Sequence, residues 1–330
     1  MNIVERFQKV LAFELFDRLP MIEWAWYWDK TLDRWYAEGL PSELCESGEI
    51  RKYLGLDNYR QLWLSPLAST CPQPKDPEAG MIKSIDEYLR LKQHLYPQDG
   101  FDRATMAAWS AIHKNGDMAI WFWVEGFFWF PRRLLGIEQH LYTFYDNPDL
   151  MHMINKDIMQ YNLRVIKDIC QYCKPSFVLF GEDLSYNHGP MLSKKCFDEF
   201  LSPYYREIIP EIKKLGIVPF IDSDGDVATC IPWFREVGIE GIGPLERMAG
   251  VDVVQIRKDH PNFRLIGGFD KTIMHLGEDA MRKEFERLLP VMKQGGYLLS
   301  VDHQTPPEVS LDDYRLYLSL LKEYGEKAAR

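Results

Sequence analysis

The sequence predicts an α/β fold: a (β/α)8 TIM barrel with an N-terminal helical extension, formed as a single domain over residues 1–330. Three observations predict it. From about residue 118 onward, short apolar runs alternate with helical periodicity, the pattern of a parallel sheet joined by helices. Eight apolar runs, centred near residues 22, 62, 120, 178, 219, 241, 265 and 299, fit a closed barrel better than an open doubly wound sheet. Successive runs end in ionisable, mostly acidic residues, at the strand ends where α/β barrels carry their sites. No internal repeat, low-complexity tract or linker divides the chain.

Taken in order, Ile3, Val4, Phe7, Val10, Leu11 and Leu15 recur at helical spacing until Asp17-Arg-Leu-Pro20 breaks the pattern. Met21 to Trp28, rich in aromatics, predicts a first strand running into a loop. A short helix, Leu32 to Glu38, closes at Gly39. Leu62-Trp-Leu64 is a short strand, and the proline-rich stretch from Pro66 to Gly80 a loop. Helices follow over Ile85 to Leu95 and Arg103 to Lys114, then a strand from Met118 to Val124 and an aromatic loop. A long helix spans Pro148 to Tyr172, and Phe177 to Phe180 is the next strand. Ser193 is placed to cap a helix over Lys194 to Leu201, with another from Tyr204 to Lys214. Strand–helix pairs then repeat from Ile217, Ile239 and Phe263, with helices over Ala228 to Val237, Val251 to Asp259 and Glu278 to Gln294. After the strand at Tyr297, Ser310-Leu-Asp-Asp313 has capping-box spacing and opens a last helix to about Lys327.

Composition narrows the function. The net charge of −10 argues against nucleic acid or an anionic membrane as partner. No apolar run is long enough to span a bilayer, and Met1 to Val10 starts an amphipathic helix rather than a signal peptide. Six scattered cysteines do not form a disulfide framework, so a reducing cytoplasm is the expected location. Cys170 and Cys173 lie inside a helical pattern and read as packing.

The strand ends carry the chemistry. They offer Glu125, Glu182 with Asp183, the stretch Asp222-Ser-Asp-Gly-Asp226, Glu246, Asp270 with Lys271, and Asp302 with His303. Any one of these acids could cap a helix or pair with a rim cation; together they mark the rim as the site. Acids this dense repel unless a metal, a substrate cation, a proton or water sits among them. The metal reading takes Asp222, Asp224, His303 and Glu182 as ligands for Zn²⁺ or another divalent ion. A calcium loop is excluded, because position 227 is Val227, not glycine, and the twelfth position is Trp233. In the acid–base reading, Glu182, Asp224, Glu246 and His303 are the catalytic groups. Trp24, Trp26, Tyr27 and Trp28 crowd one strand end; Trp121, Trp123 and Phe127 to Phe130 crowd another. Some of these should line a pocket mouth above the acids, a setting for a flat apolar molecule or a methylammonium-type cation. Trp26, Trp28, Glu125, Tyr186, Asn187 and Asp270 are the candidate substrate contacts.

Several blocks carry a resemblance: Gly181-Glu-Asp-Leu with Gly189-Pro-Met-Leu-Ser193, Phe220 to Asp226, Gly243-Pro-Leu-Glu246, Gly267-Gly-Phe-Asp-Lys271 and Gly296 to His303. Over about residues 175–325 the chain resembles the uroporphyrinogen decarboxylase superfamily, which includes cobalamin-dependent methyltransferases. The resemblance implies a (β/α)8 barrel with its site at the strand C-termini. True decarboxylases hold their porphyrinogen with an arginine-rich segment after the first strand; here Glu23 to Asp29 has no arginine. The methyltransferase branch holds zinc through a His-x-Cys pair and a later Cys. Asp222-Ser-Asp224 and His303 stand at the matching places, harder ligands than thiolates. The expected function is therefore methyl transfer from a small methylated substrate, aromatic or aliphatic. The leaving group would be activated by a metal or a carboxylic acid, with a corrinoid brought by a partner protein or free in solution. A carboxy-lyase of the decarboxylase type and a non-catalytic binding homologue are the alternatives, and a homodimer is a candidate assembly.

Overall fold

The computed structural model describes residues 1–74 and 79–330, so part of the expected Pro66 to Gly80 loop, residues 75–78, lies outside the described residues. Seven strands form one sheet: β1 (Tyr59–Leu64), β2 (Ala119–Glu125), β3 (Phe177–Gly181), β6 (Val218–Asp222), β7 (Gly241–Leu245), β8 (Arg264–Phe269) and β9 (Tyr297–Val301). They pair in chain order, and every pairing is parallel. A two-stranded hairpin, β4 (Ser185–Tyr186) and β5 (Gly189–Pro190), follows β3. Strands β2, β3, β7 and β9 are buried at every residue, because helices cover the outside and side chains fill the inside. The connecting helices include Pro148–Ile169, Ser202–Lys214, Glu278–Met292 and Leu311–Lys327. Ser310 and Asp313 form the expected capping box, and Ser193 caps the helix Lys194–Phe200. Among the described residues no helix is long and apolar enough to cross a membrane.

The sequence expectation of eight strands is corrected at the first: Met21 to Trp28 makes no ladder. Side chains do the joining there instead. The Tyr59 hydroxyl of β1 donates to the Glu23 carbonyl at 2.8 Å and accepts from the Glu23 N–H at 3.0 Å. The Glu23 carboxylate accepts from the Val301 N–H of β9 at 3.1 Å and from the Tyr314 hydroxyl at 3.0 Å. One buried acid thus links the two edge strands, where a ladder strand would have used backbone groups. Burial pushes the Glu23 carboxyl up to about 7, against the hydrogen bonds that favour its charge. Helices Trp129–Leu135 and Ile137–Asp146 form where an aromatic loop was expected, and a further helix spans Ser47–Tyr53. Phe127, Phe128 and Phe130 are consequently core residues with no exposure, not a pocket mouth.

Candidate active site

Asp222 ends β6, and Ser223-Asp224-Gly225 turns across the rim immediately after it. Gly225 has φ +78°, and an added Cβ would lie 2.6 Å from the Cα of Tyr186, so the hairpin packs directly on this acidic turn. The Asp226 N–H donates to the Tyr186 carbonyl at 2.9 Å, and the Ser185 hydroxyl to the Asp226 carbonyl at 2.6 Å. Trp123 of β2 reaches Asp222 by lying across Gly181, where an added Cβ would fall 1.8 Å from the indole. Its Nε1–H donates to the Asp222 carboxylate. Asp183, two residues past β3 and at φ +39°, brings a second acid to the same place.

Carboxylate oxygens of Asp183, Asp222 and Asp224 lie within 4.8 Å of one another, and so do donor atoms of Asp224, Glu246 and His303. Burial first, and then mutual repulsion, pushes the acids up: Asp183 to about 7, with Asp222 well above the usual carboxylate range. Asp224 is raised as well, chiefly by burial; His303, with Nε2 3.7 Å from its Oδ1, works in the opposite direction. Behind this group, Glu246 accepts from the Gly225 N–H at 2.9 Å. Lys271 Nζ stands 3.7 Å from Glu246 and 3.4 Å from the buried Asp302, whose carboxyl burial raises to about 6.

Above the aspartates rise Trp24, Trp26, Trp63, Trp123 and Trp129, enclosing a cavity of about 270 Å³. Trp63 and Trp123 stack with ring centroids 4.3 Å apart. Asp183, Asp222, Asp224, His303, Gln304 and Ala25 complete the lining, which among the described residues contains no lysine or arginine.

The expected residues divide. Trp26, Asp222, Asp224 and His303 meet at the cavity, with Glu246 beside them. Glu182 stays outside it: its oxygens accept from the N–H groups of Phe127, Phe128 and Trp129 and from the Tyr205 hydroxyl. Gly126 leaves room for that carboxylate, which a Cβ would approach to 2.3 Å. Glu182 therefore anchors the loop after β2, and the metal-ligand set expected from the sequence loses it to this scaffold. Burial pushes its carboxyl up to about 7, against those hydrogen bonds. Glu125 is buried against Arg133, and burial likewise raises it to about 7. Asp270 caps its own turn through the Thr272 N–H at 2.9 Å. Trp28 precedes the helix Asp29–Ala37, and Tyr186 and Asn187 are exposed on the hairpin; none of the three lines the cavity. Sequence reasoning placed Asp183 among the rim acids without giving it a role, and did not bring Trp63 or Gln304 to the site. The signal for Asp183 was parity: Gly181 pairs with Asp222, so residue 183 falls on the face that carries Asp224.

The family model for uroporphyrinogen decarboxylase (URO-D) matches residues 113–324. The chain belongs to the URO-D family. Uroporphyrinogen decarboxylase of Corynebacterium diphtheriae is 27% identical over 128 residues, 37% of this chain and 36% of that protein. That of Pseudomonas putida is 22% identical over 188 residues, 54% of this chain and 50% of that protein. The URO-D chain thus spans about a third to a half of the curated relatives it matches. A methyltransferase from Methanosarcina mazei shares the fold, with TM-score 0.65 and 16% identity over 98% of this chain and 99% of that one. The matched region contains β2 to β9, and with them every aspartate of the cavity.

Proposed function

We propose that this URO-D family member is a methyltransferase that removes a methyl group from a small substrate carrying a methylated nitrogen or oxygen. The observation that carries the reading is the meeting of Asp183, Asp222 and Asp224 beneath five tryptophans, in a cavity lined, among the described residues, by no basic side chain but His303. Three carboxylates so placed do not all ionise unless something positive joins them. A methylated ammonium supplies that charge and offers methyl groups to the ring faces. For a neutral ether or amine, Asp183 or Asp222 in its acid form protonates the departing oxygen or nitrogen.

A divalent ion is the other positive partner. Asp224, Glu246 and His303 offer oxygens and one imidazole within reach of one another, a donor set suited to zinc or a harder ion. Bound there, the ion would supply Lewis acidity to the leaving group. A corrinoid, as the methyl acceptor, would supply the cobalt nucleophile. The cavity of about 270 Å³ suits a small molecule only, so a corrin ring belongs outside its mouth, where Trp26 is 45% exposed. The same size and the acidic lining disfavour a polyanionic porphyrinogen, so decarboxylation of that substrate is not the reading adopted.

The test is methyl transfer to cob(I)alamin, followed by absorbance, with tetramethylammonium and a methoxyarene as donors and with zinc added or withheld. Transfer that falls at least tenfold in Asp222→Asn supports the reading. Donors that bind the cavity yet never give up a methyl group would sink it.

A further inference from the structure

Trp26 borders two cavities of opposite character. On one side is the acidic cavity; on the other is a groove of about 520 Å³ lined by Arg51, Lys52 and Arg60. The same three cations line an adjoining depression of about 240 Å³. Arg51 is 5% exposed, yet its Nε and Nη2 have no hydrogen-bond partner. Its guanidinium lies 4.9 Å from the Trp26 ring centroid and 4.6 Å from that of Tyr59. Gln61 also lines the groove, and its Nε2 is buried without a partner. Arg60 donates to the Tyr59 carbonyl at 2.8 Å and the Asn58 side chain at 3.3 Å, both neutral. Glu46 and Glu49 lie along the groove, but among the described residues no carboxylate forms an ion pair with Arg51, Lys52 or Arg60. Glu23 interacts with Arg51 only through space.

Buried donors without acceptors are rare in folded proteins, and here three such N–H-bearing nitrogens belong to two residues that line the same groove. Flanked by two ring faces, a guanidinium keeps its edge for a planar or tetrahedral oxyanion. On a chain of net charge −10, three cations that form no ion pair among the described residues outnumber Glu46 and Glu49 in this groove and make a local anion trap. We propose that Arg51, Lys52, Arg60 and Gln61 form an oxyanion subsite that takes a carboxylate or phosphate group of a ligand lying beside Trp26. The subsite stands whether or not the reaction proposed above is the one catalysed, because it is measured as binding without turnover.

The test is tryptophan fluorescence, with Trp26 the nearby reporter, on the full chain titrated with inorganic phosphate and separately with acetate. Chloride holds the ionic strength constant, and calorimetry repeats the titrations. The expected result is a saturable response to at least one oxyanion. Its dissociation constant should weaken at least tenfold in the Lys52→Ala, Arg60→Ala double variant, whose altered side chains are not buried. Arg51→Gln should abolish the response; if that buried substitution prevents folding, the double variant decides. Saturation by phosphate alone assigns a phosphate group, and by acetate alone a carboxylate. No response beyond chloride, or equal constants in wild type and double variant, overturns the subsite.

Discussion

Replacing Asp183 by asparagine should stabilise the protein above neutral pH while impairing its site. The carboxyl of Asp183 sits at about 7 in the folded chain, against 3.8 for an ordinary aspartate, because it is buried beside Asp224. Between those values the folded chain holds a proton that the unfolded chain has released. Folding stability therefore falls as pH rises through this window, and the full cost is present above about pH 7. Roughly three pH units at about 1.4 kcal/mol each give an upper bound of about 4 kcal/mol. Asp183 is only partly buried and three acids share the protons, so about 1–2 kcal/mol is the expected gain. Asparagine suits the test, because it tolerates the positive φ of 39° and keeps the shape of the neutral acid. Urea unfolding at pH 4.5 and pH 8 reads the outcome. Wild type should lose stability between the two values, and the variant should lose less and be the more stable of the pair at pH 8. Equal pH dependence in the two proteins, or a variant destabilised at pH 8, would refute the account of the acidic cluster.

Three further outcomes follow from the same geometry. Glu182→Gln should cost about 3 kcal/mol or more in chemical denaturation, because both carboxyl oxygens accept from backbone N–H groups or the Tyr205 hydroxyl, and an amide NH2 in place of either leaves buried donors facing a donor. Gly181→Ala should displace the Trp123 indole, costing about 1–3 kcal/mol of stability and weakening methylammonium binding measured by calorimetry. Protein purified without chelator should bind about one zinc per chain by mass spectrometry, and His303→Ala and Asp224→Ala should each lose it without unfolding; a wild type that takes up no metal even from added zinc removes the metal half of the proposal.

Much of the sheet was legible in the sequence because its strands are buried on both faces and read as unbroken apolar runs between helical segments. Phe177 to Phe180 and Tyr297 to Val301 are of this kind. The run at Met21 to Trp28 has the same texture but no ladder, because Glu23 and Tyr59 join the edges through side chains that no local pattern reports. The buried aromatics at Phe127, Phe128 and Phe130 were misplaced for a related reason. A strand end followed by apolar residues reads as a pocket mouth unless one knows that Glu182, 53 to 55 residues onward, folds them into a helix start. At the site, Asp222, Asp224 and His303 could be read from strand ends alone. Asp183 was within reach of strand parity; Gln304 and Trp63 depend on how distant segments converge.

The pair Glu182-Asp183 shows how one strand end serves two purposes. Side chains alternate across a strand, so consecutive acids point to different neighbours. Glu182 turns to the backbone N–H groups of the loop after β2, and Asp183 turns to the cavity. Asp222, Ser223 and Asp224 repeat the division: the two acids face the cavity, while the Ser223 hydroxyl accepts the Leu184 N–H at 3.2 Å. Three acids held together with His303 as their basic neighbour in the cavity are costly to fold, and the residues between them supply the contacts that hold the rim in place. The destabilising set and the anchoring set are therefore interleaved in sequence but separable in experiment. Substitutions at Asp183, Asp222 and Asp224 should move binding and pH dependence, whereas those at Glu182 and Ser223 should move stability first.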